Sequence, residues 1–295
     1  VDKNAEISIE ANPGTLDGGK LAIYRSAGIN RLSLGLQSVH NDELKMLSRI
    51  HTYEDFENSF LLARLEGFDN INVDIMYALP GQTPERLAET IRTVAALSPE
   101  HISFYGLKIE ENTPFAYNKT ISESLPDEEI QYKMYMDTAK TLEAHGYRQY
   151  EISNFAKDGF ACRHNIKYWK CNDYLGFGTA AASFFEGRLF SQVKNIDYFI
   201  EDPLSVFLID STEEITPKKF ETQYVMLGFR LSEGISLGEY RLRCGGDFIS
   251  KYGERLKPFI EKKLVIKTTD GFRLSRRGML VSNYILSEIL DFDED

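Results

Sequence analysis

The chain has 295 residues, 42% of them hydrophobic and 27% charged, which is ordinary for a globular protein and enough to bury a sizeable core. With 34 basic residues against 45 acidic ones the net charge is -11, which disfavours a nucleic-acid backbone as partner. No apolar run approaches the ~20 residues that a membrane-crossing helix needs. No stretch resembles a signal peptide, and Cys162, Cys171 and Cys244 form no disulfide framework, so reduced thiols and a cytoplasmic setting are expected.

The first predicted strand is EISIEANP, in which Ile7, Ile9 and Ala11 alternate with Ser8, Glu10 and Asn12. Thr15 is expected to cap a helix reaching Ala27, with Gly28 as its stop. A second strand, RLSLGLQS, sets Leu32, Leu34 and Leu36 against Ser33, Gly35 and Gln37. Asn41 is expected to cap NDELKMLSRI, where Leu44, Leu47 and Ile50 have helical spacing, and a further helix spans Tyr53 to Glu66. The third strand, NINVDIMY, places Ile71, Val73 and Ile75 on one face and Asn72, Asp74 and Met76 on the other. Thr83-Pro84 opens the next helix, which ends before Pro99; HISFYGLKIE is a strand, DEEIQYKMYMDTAKTLEAHG a helix stopped by Gly146, and YRQYEISNFA another strand candidate.

The long helical connections argue for parallel strands joined by crossovers. Glu10, Gln37 and Asp74 would then point into one space near the C-terminal strand ends, where α/β barrels bind ligands. A mixed sheet with one solvated face is the alternative. From Cys162 to Tyr198 the chain turns aromatic-rich and irregular; Gly176 and Gly178 mark either a close backbone approach or a tight bend, and the bend is expected. Helices over Pro217 to Leu231, Leu237 to Arg243 and Asp247 to Lys262 follow, then a hairpin turning at Asp270-Gly271 and a last helix to Leu290. This order resembles a winged-helix unit, although the acidic charge argues against DNA reading. Three segments are expected: residues 1–160, 161–205 and 206–295.

No serine sits in a nucleophile elbow. A zinc site from Cys162, His164 and Cys171 has the element types but matches no structural zinc spacing. A carboxylate among apolar neighbours, as at Asp74, costs several kcal/mol or so unless it is paired or faces a polar cavity. Glu10, Gln37, Arg49 and Asp74 together form a set suited to a zwitterionic, hydroxyl-bearing ligand: the guanidinium pairs with a carboxylate while the acids accept from hydroxyls or an amine.

The runs EANP, GLQS, LSRIHT, NVDIMYALPGQT and RHNIKYW, in that order, resemble the radical S-adenosylmethionine (SAM) proteins of the coproporphyrinogen oxidase and heme chaperone group. The resemblance covers nearly the whole chain. It implies an α/β fold, a partial (β/α)6 barrel entered at about its third strand, followed by a C-terminal winged-helix-like α+β domain. It also implies SAM contacts at Glu10, Gln37, Arg49 and Asp74. Relatives of this kind hold a 4Fe-4S cluster through a Cys-x3-Cys-x2-Cys loop, a spacing that none of these cysteines has. The chain begins without Met beside a strand that reads as the middle of a βα series, so the cluster cysteines are expected upstream of Val1.

HNIKYW matches the HNxxYW motif of the chaperone branch. This implies a heme site at His164, Asn165, Tyr168 and Trp169, with His164 as ligand to the heme iron. Packing roles for Tyr168 and Trp169 are the alternative. Relatives often carry a histidine in the later Gly-x-Gly stretch, where this chain has Ala182, which leaves a second axial ligand open. The function implied is heme binding and transfer to client proteins, with a peripheral membrane encounter with respiratory enzymes. The alternative is oxygen-independent oxidative decarboxylation of coproporphyrinogen III.

Overall fold

A computed structural model describes residues 2–291, which divide into two compact units, 2–162 and 163–291. The first unit is an open α/β sheet. Strands β1 (Ser8–Ala11), β2 (Arg31–Gln37), β3 (Ile71–Tyr77) and β4 (His101–Gly106) run parallel in chain order. Their crossovers hold helices α1 (Gly18–Ser26), α2 (Asn41–Met46), α3 (Tyr53–Leu65) and α4 (Pro84–Leu97). The long connections therefore do build parallel pairs, and among the described residues the sheet does not close into a barrel.

Beyond β4 come two short helices, α5 (Pro114–Tyr117) and α6 (Lys119–Glu123), and the long helix α7 (Glu128–Ala144). The stretch expected as one strand then breaks into β5 (Arg148–Glu151) and β6 (Asn154–Ala156), and β6 joins the sheet antiparallel to β4. Only Ile152 and Ser153 separate the two strands, too short a span for a crossover, so a hairpin is the only pairing open to them.

Alternation sets the layers. Leu32, Leu34, Leu36, Ile71, Val73, Ile75, Ile102 and Phe104 are almost fully buried and carry the helical layer, in which α3 packs on β2 and α7 on β3. Burying such side chains contributes about 1.5–3 kcal/mol each. Ends differ from the sequence reading where local chemistry decides. Asp17, not Thr15, caps α1 by accepting from the Lys20 N–H, and α2 starts at Asn41 with His40 as cap. It stops at Met46 because Ser48 turns left-handed at φ 58°. Thr52 with Asp55 forms a reciprocal capping box on α3, and Thr83 caps α4 ahead of Pro84 as expected.

The second unit opens with α8 (Arg163–Trp169) and a three-stranded antiparallel sheet of β7 (Ala182–Phe185), β8 (Arg188–Gln192) and β9 (Ile209–Glu214), with α9 (Ile196–Glu201) between β8 and β9. The stretch read as irregular thus holds regular structure. Gly176 owes its identity to close approach, since a Cβ there would lie 2.3 Å from the Ala182 carbonyl oxygen; Gly178, at φ 101°, supplies the bend.

Helices α10 (Pro217–Gly228), α11 (Leu237–Cys244) and α12 (Phe248–Glu261) precede a small sheet in which β10 (Ile235–Ser236) and β11 (Val265–Lys267) flank β12 (Gly271–Leu274). The expected hairpin is β11–β12, and β10 is a third strand too short to read from pattern. The last helix is two pieces, α13 (Arg276–Leu280) and α14 (Ser282–Ile289).

Candidate functional sites

Register brings the first set of residues together. Glu10 pairs with Ser33, Ser33 with Asn72, Asn72 with His101, and Asp74 with Ser103, so all six point to the face opposite the helical layer. At the C-terminal end of β2 the ladder slips between Leu34 and Gln37, and Gln37 takes φ 72°. The bulge re-aims the carboxamide. Arg49 Nε donates to Gln37 Oε1 at 2.8 Å, and a Cβ on Gly35 would lie 3.0 Å from an Arg49 guanidinium nitrogen. Gly35 therefore leaves the space in which the amide–guanidinium pair lies over the strand.

Two contacts hold this corner. His51 Nε2 lies 3.3 Å from the Leu36 carbonyl, and Ser38 Oγ donates to the buried Glu43 carboxylate, which also receives Gln82 and Arg86.

Beneath the corner runs a closed hydrogen-bond network. Asn72 Nδ2 donates to Ser33 Oγ at 2.8 Å and to Asp74 Oδ1 at 2.7 Å, while its Oδ1 accepts from His101 Nδ1 at 2.6 Å and Ser103 Oγ at 3.1 Å. All four hydrogen-bonding positions of the amide are thereby used. Since Nδ1 donates, His101 Nε2 accepts from the Tyr150 hydroxyl 2.9 Å away. Burial, with a smaller push from Arg31, holds His101 well below its ordinary value, so the ring is neutral.

Burial raises the Asp74 carboxyl; Asn72 and Ser103 pull it back, and Glu10 adds to the rise. Tyr105 is also raised, by burial first and Asp74 second, with Glu10 adding to the rise and Gln37 and Arg49 opposing it. Sequence reading missed Tyr105, although the alternation of Ile102 and Phe104 with Ser103 and Tyr105 carried the signal.

The second set lies on α8. His164 and Tyr168, one turn apart, have ring centroids 4.9 Å apart in an edge arrangement, and Tyr168 lies 4.5 Å from Tyr174. Trp169 lies under the Arg230 guanidinium, 4.2 Å from ring centroid to cation, and its indole N–H is buried without a hydrogen-bond acceptor. Arg243 donates to the carbonyls of Lys170 and Cys171 and to Asn172, fixing the C-terminal end of the helix.

Tyr168 and Trp169 open onto a cavity of about 380 Å³ whose other apolar walls include Tyr174, Phe184, Leu189, Met226 and Leu227. His164 is exposed and Asn165 half-buried, the latter with no side-chain hydrogen bond among the described residues.

The cysteines do not form a metal centre. Cys162 Sγ lies 3.7 Å from Glu6 Oε1, and burial pushes the thiols of Cys171 and Cys244 up to about 11. Among the described residues no three His, Cys, Asp or Glu side chains are grouped to hold a metal ion, so neither zinc nor a 4Fe-4S cluster finds a ligand set there. No helix among the described residues is long and apolar enough to cross a membrane.

Residues 1–94 match the Radical SAM superfamily and residues 215–281 the HemN C-terminal domain. The chain is 35% identical over 289 residues to the heme chaperone HemW of Bacillus subtilis, covering 97% of this chain and 76% of that one. It is 34% identical to the Haemophilus influenzae HemW, covering 98% and 75%, and 33% identical to the Escherichia coli HemW, covering 97% and 75%. The solved coproporphyrinogen III oxidase (HemN) of Escherichia coli, a radical SAM enzyme, shares the fold with a TM-score of 0.81 at 22% identity, over 99% of this chain and 71% of that one. The chain belongs to the HemW family of the radical SAM superfamily.

Proposed function

We propose that this chain binds heme on the surface around α8 and passes it to client proteins, and that it binds SAM on the polar face of its parallel sheet. The observation that carries the heme reading is the juxtaposition on α8: an exposed imidazole one turn before aromatic side chains that border an apolar cavity. Imidazole is a common axial ligand for heme iron, and aromatic walls cover a macrocycle. His164 is the iron ligand in this reading, with Asn165, Tyr168 and Trp169 completing the site. The names of the relatives support the same cargo.

For SAM, the donor set fits. The space above Gly35 holds a guanidinium and a carboxamide, and Glu10 and Asp74 lie on the same face to accept from ribose hydroxyls or the amino group. SAM supplies an adenosyl group and a methionyl end. The chain's own residues bind and orient it: Arg49 pairs with its carboxylate, Gln37 holds the guanidinium in place, and Asp74 and Glu10 accept hydrogen bonds. The described residues hold no cluster ligand set.

The test is heme titration of the wild-type chain and His164→Ala, read by the Soret spectrum. A changed spectrum or lost binding in the variant supports the assignment; equal spectra remove His164 from the site. Anaerobic incubation of cluster-loaded protein with SAM, a reductant and coproporphyrinogen III addresses the alternative, since formation of protoporphyrinogen IX would replace chaperoning by oxidative decarboxylation.

A further inference from the structure

On the face that carries Asn72 and Asp74 lies a cation that the site described above does not use. Arg31, at the start of β2, pairs in register with Ser8 and faces the same way as Ser33, Asn72 and Asp74. It is 5% exposed. Its Nε is buried with no hydrogen-bond partner, and its guanidinium makes no hydrogen bond, ion pair or ring contact among the described residues. Its charge is nevertheless felt across the floor of the face: it adds to the burial that lowers His101 and opposes the burial that raises Asp74 and Tyr150.

A buried guanidinium without a counter-charge costs several kcal/mol or so, and its planar fork of donors matches a carboxylate in two parallel hydrogen bonds. Asp74 offsets the charge only at a distance, and no ion pair neutralises it among the described residues. His101 is neutral with both ring nitrogens engaged, and among the described residues no ion pair joins Asp74 to Arg31. The Asn70 carboxamide oxygen, on the residue that leads into β3, is also buried without a donor. A carboxylate accepts both donors of the guanidinium edge, while the Asn70 oxygen calls for a donor elsewhere on the same ligand.

We infer that Arg31 is the anion-binding group of a carboxylate subsite at the floor of the sheet's polar face, deeper than Gln37 and Arg49 and separate from the SAM contacts assigned to them, so that a second, carboxylate-bearing ligand is held there. The inference is independent of the heme reading and of the SAM reading.

Acetate and formate are small enough to serve as probes. The experiment records the thermal unfolding midpoint of the 295-residue chain in titrations of acetate, formate and inorganic phosphate at constant ionic strength, for wild type, Arg31→Met and Arg31→Lys. Ligand binding to the folded state raises the midpoint with concentration. Acetate and formate should raise the wild-type midpoint. Arg31→Lys should weaken the response at least about tenfold in concentration, because the second hydrogen bond is lost, and Arg31→Met should abolish it.

Without added carboxylate, Arg31→Met should unfold no earlier than wild type, because it removes a buried charge that no ion pair neutralises. A midpoint for Arg31→Met well below wild type in probe-free buffer would assign the guanidinium to the architecture and overturn the proposal. Equal carboxylate responses in wild type and Arg31→Met would also overturn it, as would a response to phosphate alone.

Discussion

The two candidate sites are built on opposite principles. The polar face of the first unit is a network in which Asn72 uses every donor and acceptor it has and His101 is fixed in one tautomer by Asn72 and Tyr150. The α8 surface is held by rings and cations: Tyr168 against His164 and Tyr174, and Trp169 under Arg230. A hydrogen-bonded site in a dry interior specifies geometry strictly and fails abruptly when one partner is lost. An aromatic surface tolerates change and adapts to a large flat ligand. The first arrangement suits a small polar cofactor and the second a cargo that must leave.

That contrast can be broken by substitution, and the largest effect should come from Asn72→Leu. It leaves Ser33, Ser103, Asp74 and His101 without their shared partner, and a loss of about 3 kcal/mol in denaturant unfolding is expected. A loss below about 1 kcal/mol would mean that the network is not the source of rigidity. Gly176→Ala, in the second unit, pushes a methyl to within 2.3 Å of the Ala182 carbonyl and should cost about 1–3 kcal/mol through local distortion. The cavity beside α8 should deform with it, so heme titration of this variant should show a broadened Soret band.

Gly35→Val puts its Cβ 3.0 Å from the Arg49 guanidinium and should lower SAM affinity by about tenfold in calorimetric titration while leaving the heme spectrum unchanged.

The pH dependence sharpens the same comparison, with a smaller effect. His101 is depressed by burial, so the unfolded chain takes up a proton below about 6.5 while the folded chain does not, and stability falls as the pH drops through that window. Asp74 is raised, so its contribution is greatest at low pH and declines as the pH climbs through its folded value. Chemical denaturation across pH should therefore show a shallower acid limb for His101→Gln and a shallower decline on the alkaline side of the carboxyl range for Asp74→Asn. Unchanged limbs would place both groups outside the folding linkage.

How much of this could be read from the chain depended on periodicity. Glu10, Asp74 and Gln37 stood out because a polar residue in a two-residue alternation has to face somewhere, and register brings their strands together as expected. The bulge at Gln37 was not legible, because a left-handed φ at a glutamine has no sequence mark. Nor was the Arg31 floor: an arginine at a strand start reads as solvated until the fold buries it. Around α8 there was no period to follow, since β7 and β8 are only four and five residues long and β9 is exposed along its whole length, and only the HNxxYW run pointed there. The hairpin of β5 and β6 was read as one strand because Ile152 and Ser153 carry no glycine or proline to announce a turn.

The central claim is that cargo and cofactor use different surfaces of this chain, heme at His164 and SAM at Gln37 and Arg49. The most direct measurement is heme titration of three proteins side by side: wild type, His164→Ala and Arg49→Met, each followed by its Soret spectrum. The account predicts that Arg49→Met matches wild type and that His164→Ala does not; a wild-type spectrum from His164→Ala with an altered one from Arg49→Met would contradict it.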